Sequence, residues 1–316
     1  MNFTGSNSHP LLRLILGCLA FLGLSHAWSQ QGTGQVSSRL GQPGKDVMWL
    51  PTPDLMVTSM LRMAEVTRHD FVVDLGSGDG KIPIAAARQF GARALGLEFN
   101  PDLVEVSKLR ARQAGVADKA EFRQADIFTT DFSSASVVTL YLLPELNLKL
   151  RPTLLRMARG TRISSHSFDM GGWRPDETTL IGTARTMLWV VPAPVAGAWT
   201  IRYAGVKPDA PAAIALRQRF QDIDGEAALS QARVSLQNVR LRGGDIEFGV
   251  RDAAGRQLRF SGRVAADRIV GNVMQAGAGA GRSGFEAIRA EAGTPFPEAE
   301  ATEAEKNEAV RVLGAQ

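Results

Sequence analysis

From Phe71 to Phe168 the chain alternates short apolar runs with segments whose apolar residues recur at helical spacing. Val72-Val73 lies in the first run, Ile82–Phe90 has a helical period, and Ala94–Leu97 is a second run. Pro101 follows, a residue suited to the first position of a helix. Phe122–Ala125, "ASVVTLYLL" and "TRISSHSF" predict three more strands, with a helix over "ELNLKLRPTLLRMA" between the last two. Strands alternating with helices imply βαβ units and a mostly parallel sheet. Val137–Leu143, apolar almost throughout, matches a strand covered on both faces. After about residue 176 the period changes to two. Ile214, Leu216 and Phe220 share one face, then Ile246, Phe248 and Val250, then Leu258 and Phe260, then Ile269 and Val273. Turn clusters such as "DIDGEA" and "RGGDI" separate these runs, which predicts antiparallel strands joined by hairpins. The expected fold class is α/β: a Rossmann-like, doubly wound, mostly parallel sheet over 46–190, followed by a smaller β-rich antiparallel domain over 195–290.

The two ends follow other rules. "HPLLRLILGCLAFLGLSHAWSQ" has one arginine, an apolar stretch and small residues before a possible cut after Ala27, so 1–27 is expected to be a signal peptide or an N-terminal anchor. Its apolar stretch is short for a membrane span. Cys18, the chain's one cysteine, lies inside it, which leaves lipidation open. Residues 28–45, rich in Gln, Gly and Ser, read as a linker, and the glutamate-rich tail 291–316 as disordered. The leader implies a membrane-associated or exported protein, on a side of the membrane that the sequence leaves open. With 44% hydrophobic residues, a formal charge of +4 and basic residues spread rather than clustered, a nucleic-acid partner is not expected.

Candidate chemistry concentrates in "VVDLGSGDGK". Gly76, Gly78 and Gly80 sit where a strand passes into a helix, with Ser77 between them. Glycines there permit a sharp turn and the close approach of a ligand. Their G-x-G-x-G spacing departs from the dinucleotide fingerprint G-x-G-x-x-G, and no G-K-[ST] of a phosphate loop is present. Two acids, Asp74 and Asp79, would oppose a pyrophosphate but suit a ligand with a cationic amino-acid end and a sulfonium. Glu98 ends the next strand, where a carboxylate can accept from ribose hydroxyls. Asp126 ends the third, placed to accept from an adenine amino group with Ile127 stacked beside it. These features point to S-adenosylmethionine as cofactor. Acids at strand ends also cap helices and begin turns, and that reading stays open for each one singly. No cluster with metal-ligand spacing is found, so no metal is expected.

The stretches "WLPTPDLMVTSML", "VVDLGSGDGKIPIAAA", "GLEFNPDLV", "ADIF", "VVTLYLLPELNLKLRPTL" and "GTRISSHSFDMGGWRPD" together resemble class I, seven-strand S-adenosylmethionine-dependent methyltransferases. More narrowly, they resemble the small protein-lysine methyltransferases related to the ATP-synthase c-subunit enzyme. The resemblance implies in-line methyl transfer to an amine, with a protein lysine as acceptor. It makes Tyr141 the catalytic candidate, with Leu142, Leu143, Pro144, His166 and Trp173 on the acceptor side. The Asn/Asp-Pro-Pro-aromatic segment usual in nucleic-acid amino methyltransferases is replaced by "YLLPELN", which disfavours a flipped base. A small-metabolite or lipid-like acceptor, or a non-catalytic binding module, are the alternatives. The β-rich domain has no counterpart in the minimal family domain.

Overall fold

The computed structural model describes residues 52–204, 212–229, 232–251, 255–275, 281–296 and 299–314. The expected leader with Cys18 and the linker lie outside these residues. Helix α1 (Asp54–Met63) precedes β1 (Phe71–Leu75), α2 (Lys81–Phe90), β2 (Arg93–Glu98), α3 (Pro101–Gln113) and β3 (Ala120–Gln124). Then come β4 (Val137–Leu140), α4 (Pro144–Leu155), β5 (Arg162–His166) and a hairpin of β6 (Glu177–Ile181) and β7 (Ala184–Val190).

These seven strands form one sheet in the order β3-β2-β1-β4-β5-β7-β6. Strands β1 to β5 pair in parallel, and β7 runs antiparallel to both neighbours. The chain first winds outward from β1 to β3, then crosses back to lay β4 on the other side of β1. The order reverses between β1 and β4, and the carboxyl ends flanking such a switch point are where open α/β sheets take ligands. Both faces of the sheet are covered. Val72, Val137 and Leu188 pack towards α1 and α2, and Val73, Val138, Ile163 and Trp189 fill the opposite core. Asn100 caps α3 by accepting from the Asp102 N–H, with Pro101 at the first helical position.

The second sheet contains β8 (Gly197–Tyr203), β9 (Ala212–Arg219), β10 (Asp222–Leu229), β11 (Ala232–Ser235), β12 (Gln237–Arg242), β13 (Asp245–Arg251), β14 (Gln257–Ala265), β15 (Arg268–Gln275) and β16 (Arg282–Ala292). All its pairs are antiparallel, in the order β11-β10-β9-β8-β16-β15-β14-β13-β12. The two outermost strands are joined by a single residue, Leu236, so the sheet curls round until its edges meet as a barrel. Trp199, Ile214, Phe248, Phe260 and Phe285 are buried in its apolar core. Such an interior is filled by side chains. At Gly271 a Cβ would come within 2.1 Å of the Ser261 carbonyl, so only glycine lets these strands approach so closely.

Three expectations need correction here. Phe220 does not share the barrel face of Ile214 and Leu216. It sits at the β9–β10 turn with a φ of 56° and joins the core of the first sheet. Its ring stacks on Trp173 at 6.1 Å, so the alternation that predicted its direction ended one residue earlier. Nor is the acidic tail disordered throughout, because residues Glu303–Gly314 form helix α5. Thr302 opens it with a capping box. Its N–H and hydroxyl donate to Glu305 Oε2 (2.8 and 3.1 Å), and the Glu305 N–H donates back to its Oγ1 (3.3 Å). The expected membrane-associated placement is corrected only as far as the described residues reach, and the leader lies outside them. No helix among the described residues is long and apolar enough to cross a membrane.

Candidate active site at the carboxyl edge of the parallel sheet

Residues 76–80 carry the chain from β1 into α2. Gly76, Gly78 and Gly80 all have positive φ, at 75°, 52° and 80°. Gly80 also lies close to its neighbours, since a Cβ there would meet Phe122 and Ser107 at 2.8 Å. Glu98, at the end of β2, grips the loop from beside it. Its Oε2 accepts from the Gly78 N–H (2.8 Å) and its Oε1 from the Asn100 N–H (2.9 Å). Ser107 of α3 donates to the Gly78 carbonyl (2.9 Å) from the other side. The glycine turn is thereby fixed before any ligand arrives.

Asp74 is buried at the end of β1, where Thr139 of β4 donates to its Oδ1 at 2.6 Å. Burial pushes its pKa up to about 7; the Thr139 hydrogen bond opposes the shift, and the nearby charges of Glu98 and Asp79 add to it. Ser77 Oγ, also buried, has no hydrogen-bond partner among the described residues. A carboxylate and a hydroxyl so placed leave polar capacity that a cationic ligand can use. Asp79 differs from the expectation, because it is ion-paired with Arg110 of α3. It anchors the loop to α3. Of the two acids expected to meet a cationic ligand, only Asp74 has no cationic partner among the described residues.

Asp126 is exposed and caps the turn that follows it, accepting from the Phe128 N–H at 2.9 Å. Ile127 beside it is half-buried against the core. Sequence reasoning passed over Phe99, a large aromatic left 47% exposed directly after Glu98. Its position after a strand-ending acid matches that of Ile127 after Asp126, and this parallel was the available signal.

Further along the same edge, Tyr141 follows β4 and His166 ends β5. Their ring centroids are 4.0 Å apart at 36°, and Tyr141 stacks on Phe168 at 6.2 Å. Burial drives the His166 pKa down to about 4, so the imidazole is neutral at physiological pH, and its Nδ1 has no partner among the described residues. Burial likewise raises the Tyr141 phenol. Leu142 is buried beneath Gly76, where a Cβ would come 2.9 Å from its Cδ2. Leu143 occupies the N-cap of α4 and Pro144 its first turn. Trp173 corrects the sequence reading. It is fully buried between Trp189 and Phe220, and its carbonyl accepts from Trp189 Nε1 at 2.7 Å, so it is a core residue and no wall of an acceptor channel. A cavity of about 440 Å³ lies between Arg162, Arg242 and Arg263, near the amino ends of these strands. All three arginines already pair with acids, Asp70, Glu177 and Asp245.

Residues 74–177 match the ANTKMT methyltransferase domain family. The chain is 39% identical over 133 residues to the protein-lysine N-methyltransferase of Saccharolobus islandicus (strain REY15A), covering 42% of this chain and 83% of that protein. It is 37% identical over 132 residues to the ATP-synthase c-subunit lysine N-methyltransferase of Mus musculus, covering 42% of this chain and only 53% of that protein. It is also similar to a crystal structure of an RNA methyltransferase from Salinibacter ruber in complex with S-adenosyl-L-homocysteine. There the identity is 50% and the TM-score 0.46, over 46% of this chain and 96% of that one. The chain belongs to the class I S-adenosylmethionine-dependent methyltransferases, among the relatives of the protein-lysine methyltransferases.

Proposed function

We propose that this protein transfers a methyl group from S-adenosylmethionine to a lysine side chain of a protein. One observation carries the reading. Along one carboxyl edge of the sheet, the buried carboxylate of Asp74 on β1 is followed by an uncharged aromatic pair, Tyr141 after β4 and His166 at the end of β5. The first half fits the donor and the second fits an amine. When bound, the donor supplies an electrophilic methyl group on a sulfonium, open to in-line displacement. Asp74 binds the donor's cationic end, with Ser77 as a further polar contact. Glu98, already holding Gly78, keeps lone pairs for the ribose hydroxyls. Ile127 and Phe99 flank the adenine, with Asp126 at its edge.

The acceptor side works by exclusion of charge. Tyr141, neutral His166 and the buried Leu142 place no cation or anion beside the arriving amine. Apolar surroundings lower the pKa of an ammonium group and so favour the free lone pair that attack requires. The Tyr141 hydroxyl has no hydrogen-bond partner among the described residues, which supports a role in orienting that amine. The likeness to protein-lysine methyltransferases over the segment that carries these residues supports a lysine acceptor. The barrel serves as an accessory support without catalytic residues.

The test incubates the purified protein and a methyl-labelled donor with separate pools of cell protein, nucleic acid, lipid and small metabolites. Label on protein lysines is the expected result. Label confined to nucleic acid, lipid or metabolites rejects the lysine acceptor, and donor binding without turnover in any pool rejects the enzyme.

A further inference from the structure

Arg151 of α4 is completely buried. A guanidinium removed from water needs every donor matched and its charge compensated. Its Nε donates to the Ala299 carbonyl (3.0 Å). Nη1 donates to the Met170 carbonyl (2.8 Å) and Glu305 Oε1 (2.6 Å), and Nη2 to the Glu300 carbonyl (2.8 Å) and Glu305 Oε2 (3.1 Å). The Phe220 ring lies 5.4 Å from Cζ. Of these partners, only Met170 lies within residues 74–177. Compensation for a charge inside the methyltransferase segment comes from the C-terminal segment and from the tip of the barrel.

The same groups hold the loop that follows β5. Asn147 donates to the carbonyls of Phe168 and Asp169 (3.2 Å each), and Arg151 to that of Met170. The Gly172 N–H donates to Glu305 Oε1 at 2.6 Å. Ser167 begins the loop with a φ of 64°, a conformation that costs energy outside glycine and needs its surroundings to hold it. Phe168, in this loop, is the ring that stacks on Tyr141. Glu305 thus touches both the buried cation and the backbone of the loop beside the candidate acceptor site.

We propose that Glu305 is a positioning residue: α5 and the barrel tip, acting through Arg151, set residues 167–173 and with them the Phe168–Tyr141–His166 stack. What this stack does for a lysine acceptor rests on the function proposed above; the positioning of the loop does not. In this chain the C-terminal segment completes the active site from behind, and the methyltransferase segment is not a self-sufficient unit.

Amide hydrogen exchange on the full chain tests this, comparing the parent with Glu305→Gln and with Thr302→Ala, a milder change that loosens only the start of α5. Losing a charged partner speeds exchange at 168–173 by about ten-fold or more in Glu305→Gln, and by less in Thr302→Ala. Amides of the 76–80 loop stay within about two-fold, and donor affinity by calorimetry within about three-fold, since neither site touches α5. With poly-L-lysine as acceptor probe, KM for the polymer rises while donor affinity holds. Unchanged exchange at 168–173 in both variants, or faster exchange spread evenly over the chain, overturns the proposal. If the parent protein does not methylate poly-L-lysine, the acceptor reading is weakened and the exchange data still decide the positioning role.

Discussion

The parallel sheet and the barrel are both packed on apolar side chains, but they place their polar groups differently. In the parallel sheet Asp74, Thr139, Ser164, His166 and Thr186 are all buried. The register sets Asp74 beside Thr139 and Thr139 beside Ser164, so a polar row crosses the sheet near its carboxyl edge. In the barrel the stacked rings of Phe248 and Phe260, 4.8 Å apart, meet Phe285 edge-on, and charges stay outside in cross-strand pairs such as Arg259–Glu247. Among the described residues the buried polar side chain of the barrel is Gln218, whose amide is used up by the backbone of Ala193, Val195 and Phe220. Burying polar groups without full satisfaction costs free energy. One sheet bears that cost at its strand ends and the other avoids it, in keeping with the chemistry proposed for the first and the support proposed for the second.

The largest effect that would sharpen this contrast is on stability alone. Phe260→Ala should remove about 3–5 kcal/mol by opening a cavity in the barrel, measured by denaturant unfolding, and leave donor affinity unchanged. A parallel loss of donor affinity would break the division of labour. Next comes pH. Asp74 has a folded pKa of about 7 against an ordinary 3.8, so its contribution to the stability of the ligand-free protein is full below pH 3.8 and is lost as pH rises through about 7. Donor binding prefers the ionised form and should strengthen by up to about ten-fold per pH unit approaching 7, a slope that calorimetry should find missing in Asp74→Asn. The smallest effect falls on the acceptor side. Tyr141→Phe removes one hydrogen-bonding group and should lower turnover by roughly ten-fold or less with donor affinity unchanged, read from kinetics and calorimetry on the same preparation.

Much of this division could be read from residue spacing. The change of period after about residue 176 announced the second sheet a hairpin early, since β6 and β7 still belong to the first, and the three glycines with Asp74, Glu98 and Asp126 pointed to the carboxyl edge of the parallel sheet. What the spacing concealed were contacts between distant segments. Asp79 looked available for a ligand because nothing near it in sequence betrays Arg110, 31 residues away, as its partner. Trp173 looked like a loop aromatic until Phe220, from the other sheet, covered it. The glutamate-rich tail resembled a solvated segment, since acidic composition shows exposure more readily than it shows one carboxylate finding a buried arginine. The T-x-x-E sequence at Thr302 was the local sign of a helix start that composition outweighed.

The central claim is that the carboxyl edge of the parallel sheet binds the donor through Asp74, without help from the barrel interior. Isothermal titration with S-adenosylmethionine of the parent, Asp74→Asn and Phe260→Leu, under conditions where all three are folded, tests it most directly. Loss of a charge-assisted partner is worth about 1.5–3 kcal/mol, so Asp74→Asn should bind about ten- to a hundred-fold more weakly, while Phe260→Leu matches the parent. Unchanged affinity in Asp74→Asn, or an equal loss in Phe260→Leu, would contradict the account.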